Sequence, residues 1–294
     1  MKLVAKAPGK VNLSLFLGAR RPDGRHELIT LIESVSLADE LELVTRAALD
    51  DKVVCPGIEE PNIVARALVG LRERGWNAPR VKVTIRKQIP VAAGMGGGSA
   101  DAAAVLRMAS RLARIDEAEL PGLAASLGAD VPSQLEPGLV LATGAGDLIE
   151  PRAPLAAHAF ALVPLPHRLS TAEVYGEADR LGLGGDELEF AARLPDLWSS
   201  LGLGQRLPER LLVNELEAAA VSLCADIEPA LAAVRDAGAD HAFVSGSGPT
   251  VAGLFWSPDG PARAQAAATA LAPRYPGACS AVPVPRDFGF PLFV

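Results

Sequence analysis

Residues 94–98 read Gly-Met-Gly-Gly-Gly. Ordering each of those glycines costs about 0.5–1 kcal/mol more than ordering an alanine, or roughly 2–4 kcal/mol for the four. A chain that keeps such a segment gains something from backbone without β-carbons. The ordinary gain is a turn that needs positive φ; the other is a close approach of successive N–H groups to an anion. The flanking pattern favours the second. Val81, Val83, Ile85 and Ile89 alternate with Lys82, Thr84, Arg86 and Gln88, which predicts a half-buried strand ending at Pro90. From Ser99 to about Leu112 the chain is alanine-rich, with Ala103, Leu106 and Ala109 in helical register, so a helix capped by Ser99 is predicted. Strand, glycine loop and helix in that order bring backbone donors and the positive end of a helix dipole to one point, where phosphate is the natural ligand.

Two common phosphate loops do not match. A Walker A loop needs Lys and Ser/Thr after its last glycine, whereas Gly98 is followed by Ser99 and Ala100. The spacing is not G-x-G-x-x-G either, which argues against a dinucleotide-binding unit. A formal charge of -7 with 28 scattered Lys and Arg gives no basic stripe for a nucleic-acid backbone. Cys55, Cys224 and Cys279 stand far apart and odd in number, as expected in a reducing compartment, and form neither a disulfide framework nor a CxxC site.

At 294 residues the length favours two domains. Period-two alternation runs through much of residues 2–43, broken by the turn at Arg21-Pro22-Asp23-Gly24. From that alternation a strand, not a secretory leader, is expected at the lysine-bearing N-terminus. No run of about 18 apolar residues suggests a spanning helix, so a cytoplasmic protein is expected. Asn62 opens a helix that Gly75 stops. Prolines thicken past Glu150, and the division is set at 1–152 and 153–294. In the second half, Ser170–Glu173 and Asn214–Glu217 each read as a capping box, and two short strands flank Ser245-Gly246-Ser247-Gly248-Pro249.

These residues also carry a resemblance. Residues 90–103, Pro-Val-Ala-Ala-Gly-Met-Gly-Gly-Gly-Ser-Ala-Asp-Ala-Ala, resemble the ATP-binding second motif of the GHMP kinases, the galacto-, homoserine, mevalonate and phosphomevalonate kinases. Ala7-Pro8-Gly9-Lys10-Val11-Asn12-Leu13 is similar to their first motif, and residues 244–251 to their third. Arg21–Leu28 and Leu127–Pro132 are similar to segments of the branch that phosphorylates a cytidine-diphosphate polyol in the non-mevalonate isoprenoid route.

The resemblance implies an α+β, two-domain fold, with a ribosomal protein S5 domain 2-like ATP-binding half, a ferredoxin-like half, and the site between them. It implies ATP and Mg²⁺, with a small-molecule acceptor and neither nucleic acid nor membrane as partner. Lys10 and Asp130 would be the catalytic pair. Pro90, Val91, Ala92, Ala93, Gly94, Met95, Gly96, Gly97, Gly98, Ser99 and Ala100 would wrap the ATP phosphates, with Ser99 a metal ligand. Asn12 would hold the polyol, His26 would read the base edge, Tyr175 would stack on the base, and Gly246, Ser247 and Gly248 would close the site. Arg25 stands where the family usually carries an aromatic residue; a guanidinium plane also stacks on a base, by cation–π and dispersion forces. Other acceptors of the superfamily, homoserine or mevalonate, and a non-catalytic sensor on the same fold are the competing readings.

Overall fold

The computed structural model describes residues 1–58, 62–184 and 186–294. Two long strands dominate the first half, β1 (Lys2–Arg20) and β2 (His26–Thr45), joined through the turn at Arg21–Gly24. They are followed by β3 (Lys52–Val54), α1 (Ile63–Glu73), β4 (Val81–Arg86), α2 (Gly97–Leu112), α3 (Glu119–Leu127), α4 (Val131–Leu135), β5 (Leu139–Thr143) and β6 (Leu148–Pro151). The second half runs β7 (His158–Val163), α5 (Thr171–Leu181), α6 (Glu187–Ser200), a 3-10 turn at Glu209–Leu211, α7 (Glu217–Leu223), α8 (Ile227–Asp236), β8 (His241–Val244), β9 (Val251–Trp256), α9 (Gly260–Leu271) and β10 (Cys279–Ala281). β11 (Leu292–Phe293) then returns to pair with β1.

The strands form two sheets. One carries β11-β1-β2-β4-β3, with β5 and β6 continuing from β2; the other has the order β10-β7-β9-β8. That second order, with a helical crossover on either side of the central β8–β9 hairpin, is the split βαβ arrangement of ferredoxin-like domains.

β1 explains why a polar-alternating sequence ends up inside. Every residue from Ala7 to Gly18 is buried. Its first part, Leu3, Ala5 and Ala7, packs with Leu68, Leu71, Trp76 and the alanine face of α2. Further along, Val11, Leu13 and Phe16 meet Phe160, Leu162, Leu254 and Trp256 of the second sheet. Leu15 and Leu17 pack with Val174, Ala219 and Ile227. One strand thus serves three apolar clusters, and Lys10, Asn12 and Ser14 have no face left in bulk water. Its register against β2 shifts between Pro8 and Gly9 and again between Asn12 and Ser14. Irregularities of this kind re-aim side chains, and here they bracket Lys10.

The predicted helix at Asn62 is present, with Asn62 Oδ1 accepting from Val64 N–H at 2.8 Å. The predicted strand ends at Arg86, short of Ile89, because Gln88 and Ile89 give their N–H groups to Asp39 instead of a neighbouring strand.

Candidate active site

The glycine helix begins two residues earlier than its serine suggested. α2 starts at Gly97 with Gly96 as its N-cap in the left-handed region, and Ser99 makes no capping bond. A positive φ of 66° suits glycine and not serine, so backbone conformation, not side-chain capping, sets the start. Three glycines are explained by close approach. A β-carbon on Gly94 would lie 2.3 Å from the Ser245 carbonyl oxygen; one on Gly96 would meet Lys10 Cγ at 3.0 Å; one on Gly246 would meet Lys10 Nζ at 2.8 Å. The two glycine loops therefore press backbone on backbone, with the Lys10 side chain between them. Ser245 Oγ donates to Gly94 O, Thr250 N–H to Ala93 O, and Lys10 N–H to Met95 O.

Lys10 is 3% exposed. Its ammonium donates to Asn12 Oδ1 at 2.6 Å and lies 3.8 Å from Asp130 Oδ2. The chain continues from Asn12 Nδ2 to Thr30 Oγ1, and from Thr30 to the Ser14 carbonyl. Asp130 occupies the N-cap position of α4, yet its carboxylate makes no capping bond and keeps 42% of its side-chain surface. A buried cation with one carboxylate at 3.8 Å and a neutral amide is under-compensated. Beside backbone N–H groups at a helix start, it suits an incoming anion.

These groups share a cleft of about 980 Å³ that also includes Asn12, Arg25, His26, Lys87, Asp101, Tyr175, Gly246 and Ser247. Pro90, Val91, Ala92, Ala93, Gly94, Gly96, Gly97, Gly98 and Ser99 line it, whereas Met95, Ala100 and Gly248 do not. Met95 and Ala100 turn into the apolar clusters. Gly248 closes a turn, donating its N–H to Ser245 O.

At the far end His26 is buried, with Nε2 2.7 Å from Asp179 Oδ1 and its ring centroid 5.4 Å from that of Tyr175. Burial, with the Asp130 charge adding, pushes the Tyr175 hydroxyl far above its usual range. It stays a neutral donor. Arg25 reaches the cleft wall, but its guanidinium is held by Asp23 on the exposed turn. At the glycine-helix end, Lys87 bridges the buried carboxylates of Asp39 and Asp101. Burial pushes Asp101 up, with Lys87 opposing and Asp39 adding to the rise.

Sequence reasoning missed Asn214. The Asn214–Glu217 segment is no capping box: α7 starts at Glu217 with Leu216 as its N-cap. Asn214 Nδ2 donates to Val244 O and Gly246 O at 2.8 and 2.7 Å, and Glu217 Oε2 accepts from Val244 N–H. Both residues hold the second glycine loop from behind. The box at Ser170 and Glu173 does form.

Known proteins fall in line with this geometry. The family model described as the GHMP kinases N terminal domain matches residues 62–138, and the GHMP kinases C terminal model matches residues 195–274. The chain belongs to the GHMP kinases. A relative from Nocardia farcinica (strain IFM 10152), named 4-diphosphocytidyl-2-C-methyl-D-erythritol kinase, is 42% identical over 87% of this chain and 86% of its own. One of the same name from Streptomyces avermitilis is 38% identical over 92% and 93%. A crystal structure described as 4-(cytidine 5'-diphospho)-2C-methyl-D-erythritol kinase superposes with a TM-score of 0.73 at 31% identity, covering 95% of this chain and 98% of that one. Within the superfamily, the chain falls among the relatives that bear this name. A homoserine kinase from Cytophaga hutchinsonii, at 16% identity and a TM-score of 0.70, shares the fold.

Proposed function

We infer that this chain is an ATP-dependent kinase that phosphorylates the 2-hydroxyl of 4-diphosphocytidyl-2-C-methyl-D-erythritol, a step in non-mevalonate isoprenoid precursor synthesis. The observation that carries the chemistry is the approach of Lys10 Nζ to Asp130 Oδ2, 3.8 Å, beside the glycine loop. In this reading the residues of the 90–100 segment that line the cleft, Pro90 to Gly94 and Gly96 to Ser99, wrap the ATP phosphates. Asn12 and Asp130 hold the acceptor hydroxyl, and its oxygen attacks the γ-phosphorus in line while the bond to the β,γ-bridging oxygen breaks. Asp130 takes the hydroxyl proton, and Lys10 offsets charge on the equatorial oxygens. A loose transition state asks mainly for such alignment and positive charge, so Asp130 need not be a strong base.

Among the described residues no cluster of three or more His, Cys, Asp or Glu side chains fits a metal. Mg²⁺ characteristically rides on nucleotide phosphates with few protein ligands, and the Ser99 hydroxyl in the cleft wall is a donor of that kind. We propose Mg²⁺ as ATP's companion with Ser99 as its protein ligand, where it would neutralise phosphate charge. The base end of the site is assigned to His26, Tyr175 and Arg25, and closure of the acceptor site to Gly246 and Ser247. The division at 152/153 and a cytoplasmic setting belong to the same reading. No helix among the described residues is long and apolar enough to cross a membrane.

A coupled ATPase assay tests this reading with the cytidylylated methylerythritol, homoserine and mevalonate as acceptors. Turnover confined to the first is expected. Turnover with another acceptor overturns the substrate, and no turnover with any acceptor overturns the kinase assignment.

A further inference from the structure

We propose that Asp179 is a positioning residue that fixes the tautomer of His26 and thereby makes the base end of the cleft select cytosine over uracil. This rests on the reading of His26 as the residue that meets the base.

Three observations carry it. His26 lies 7% exposed in the cleft wall, with Nε2 2.7 Å from Asp179 Oδ1. Tyr175 and Asp179 stand four residues apart on α5, so they share one helix face: the first packs its ring on the imidazole, and the second takes its nitrogen. Among the described residues Asp179 has no other charged partner, since the neighbouring Arg180 is held by Glu177 through both Nε and Nη2. The Asp179 carboxylate is therefore committed to His26.

The chemistry follows from what a carboxylate requires. It is an acceptor only, so a neutral His26 must carry its proton on Nε2, which leaves the Nδ1 lone pair as the free acceptor. No side-chain or backbone group among the described residues hydrogen-bonds that nitrogen. Cytosine offers a 4-amino N–H to such an acceptor, whereas uracil presents a carbonyl oxygen there and would set lone pair against lone pair. A site that hydrogen-bonds a ligand N–H rejects an analogue lacking it, because the buried partner is left unpaired. Asp179 would thus determine base choice without touching the base.

The test uses the full chain with CDP and UDP as binding probes, together with steady-state kinetics on the cytidylylated substrate. Asp179 is partly exposed, so Asp179→Ala is expected to fold. It should bind CDP about tenfold more weakly, the equivalent of one net hydrogen bond, with UDP binding little changed and the kinetic loss carried by KM. Nitrogen-15 NMR of the imidazole in the unaltered chain should show Nε2 protonated and Nδ1 bare. An Nδ1–H tautomer or an imidazolium at neutral pH would overturn the proposal. If Asp179→Ala keeps the CDP-over-UDP preference while His26→Ala loses it, Asp179 has no such role and His26 remains the base reader. If His26→Ala also keeps the preference, the reading of His26 fails and this inference falls with it.

Discussion

Lys10 Nζ lies 3.8 Å from Asp130 Oδ2, one side chain almost wholly buried and the other 42% exposed. The asymmetry fits the proposed division of work. Burial between two glycine loops fixes the cation, while the carboxylate, free of any capping duty, faces the cleft. Asp130→Asn keeps the shape and removes the carboxylate proposed to accept the hydroxyl proton. It is expected to lower kcat by about 10²–10⁴-fold, the usual range for a lost general base, with ATP affinity held within a few-fold. Single-turnover kinetics and nucleotide titration check this; unchanged turnover would show that Asp130 takes no part in proton transfer.

Gly94→Ala places a methyl group 2.3 Å from the Ser245 carbonyl at a φ of +73°. No flexible side chain can yield there, since the obstacle is backbone. The two glycine loops should separate, with a stability loss of about 1–3 kcal/mol and a raised KM for ATP. Gly122→Ala meets nothing within 4 Å and serves as the control. Urea titration and ATP kinetics of the two variants decide it.

Asn214→Ala leaves the carbonyls of Val244 and Gly246 without their side-chain donor. The expected cost is about 1–3 kcal/mol in stability. Because the loop contacts Lys10, kcat should fall as well. Asn214→Asp retains the acceptor for Leu216 N–H but removes both donated bonds, so it should resemble the alanine variant. Near-normal kinetics in both variants would separate this residue from the site.

Glu33 and His158 tie the first sheet to the second, with Oε2 and Nε2 2.7 Å apart and His158 Nδ1 on the Ala156 carbonyl. Burial alone would lower the His158 pKa, but the bond and charge of Glu33 and the Ala156 carbonyl together raise it above its ordinary 6.5. A raised folded-state pKa contributes stability that is fully present below about 6.5 and is lost as pH rises through the folded value. Resistance to urea should therefore decline as pH rises above about 6.5. His158→Gln should flatten that decline, and Glu33→Ala should flatten it too, because burial then keeps His158 neutral; the lost partner of Nε2 should cost about 1–3 kcal/mol. A pH-independent urea midpoint in the unaltered chain would show that the pair does not titrate in this range.

Much of the site was legible in the linear chain because its chemistry is local. Four glycines between a strand and a helix are the pattern on which the proposed anion site rests, and the alternation of Lys10, Asn12 and Ser14 marks a strand carrying polar groups. The helix starts before the serine because Gly96, in the left-handed region, is its N-cap, and a β-carbon there would crowd the Lys10 side chain, a long-range contact that no local capping pattern shows. The Asn214 segment was misread for the same kind of reason. Its spacing fits a capping box, but its partners, Val244 and Gly246, lie about thirty residues further along the chain.

What the sequence determined by itself is the inventory: the glycine loop, the lysine and carboxylate, the histidine and tyrosine, and the alternation that makes β1 and β2 strands. Those are properties of neighbouring residues, set by local conformational preference and period. Tertiary structure decided the rest. It buried Lys10 by giving β1 three apolar clusters to serve, brought Gly94 against Ser245 across about 150 residues of chain, and joined His26 to Asp179 across a similar distance. Contacts of that separation depend on how two sheets pack, and no short-range pattern encodes that.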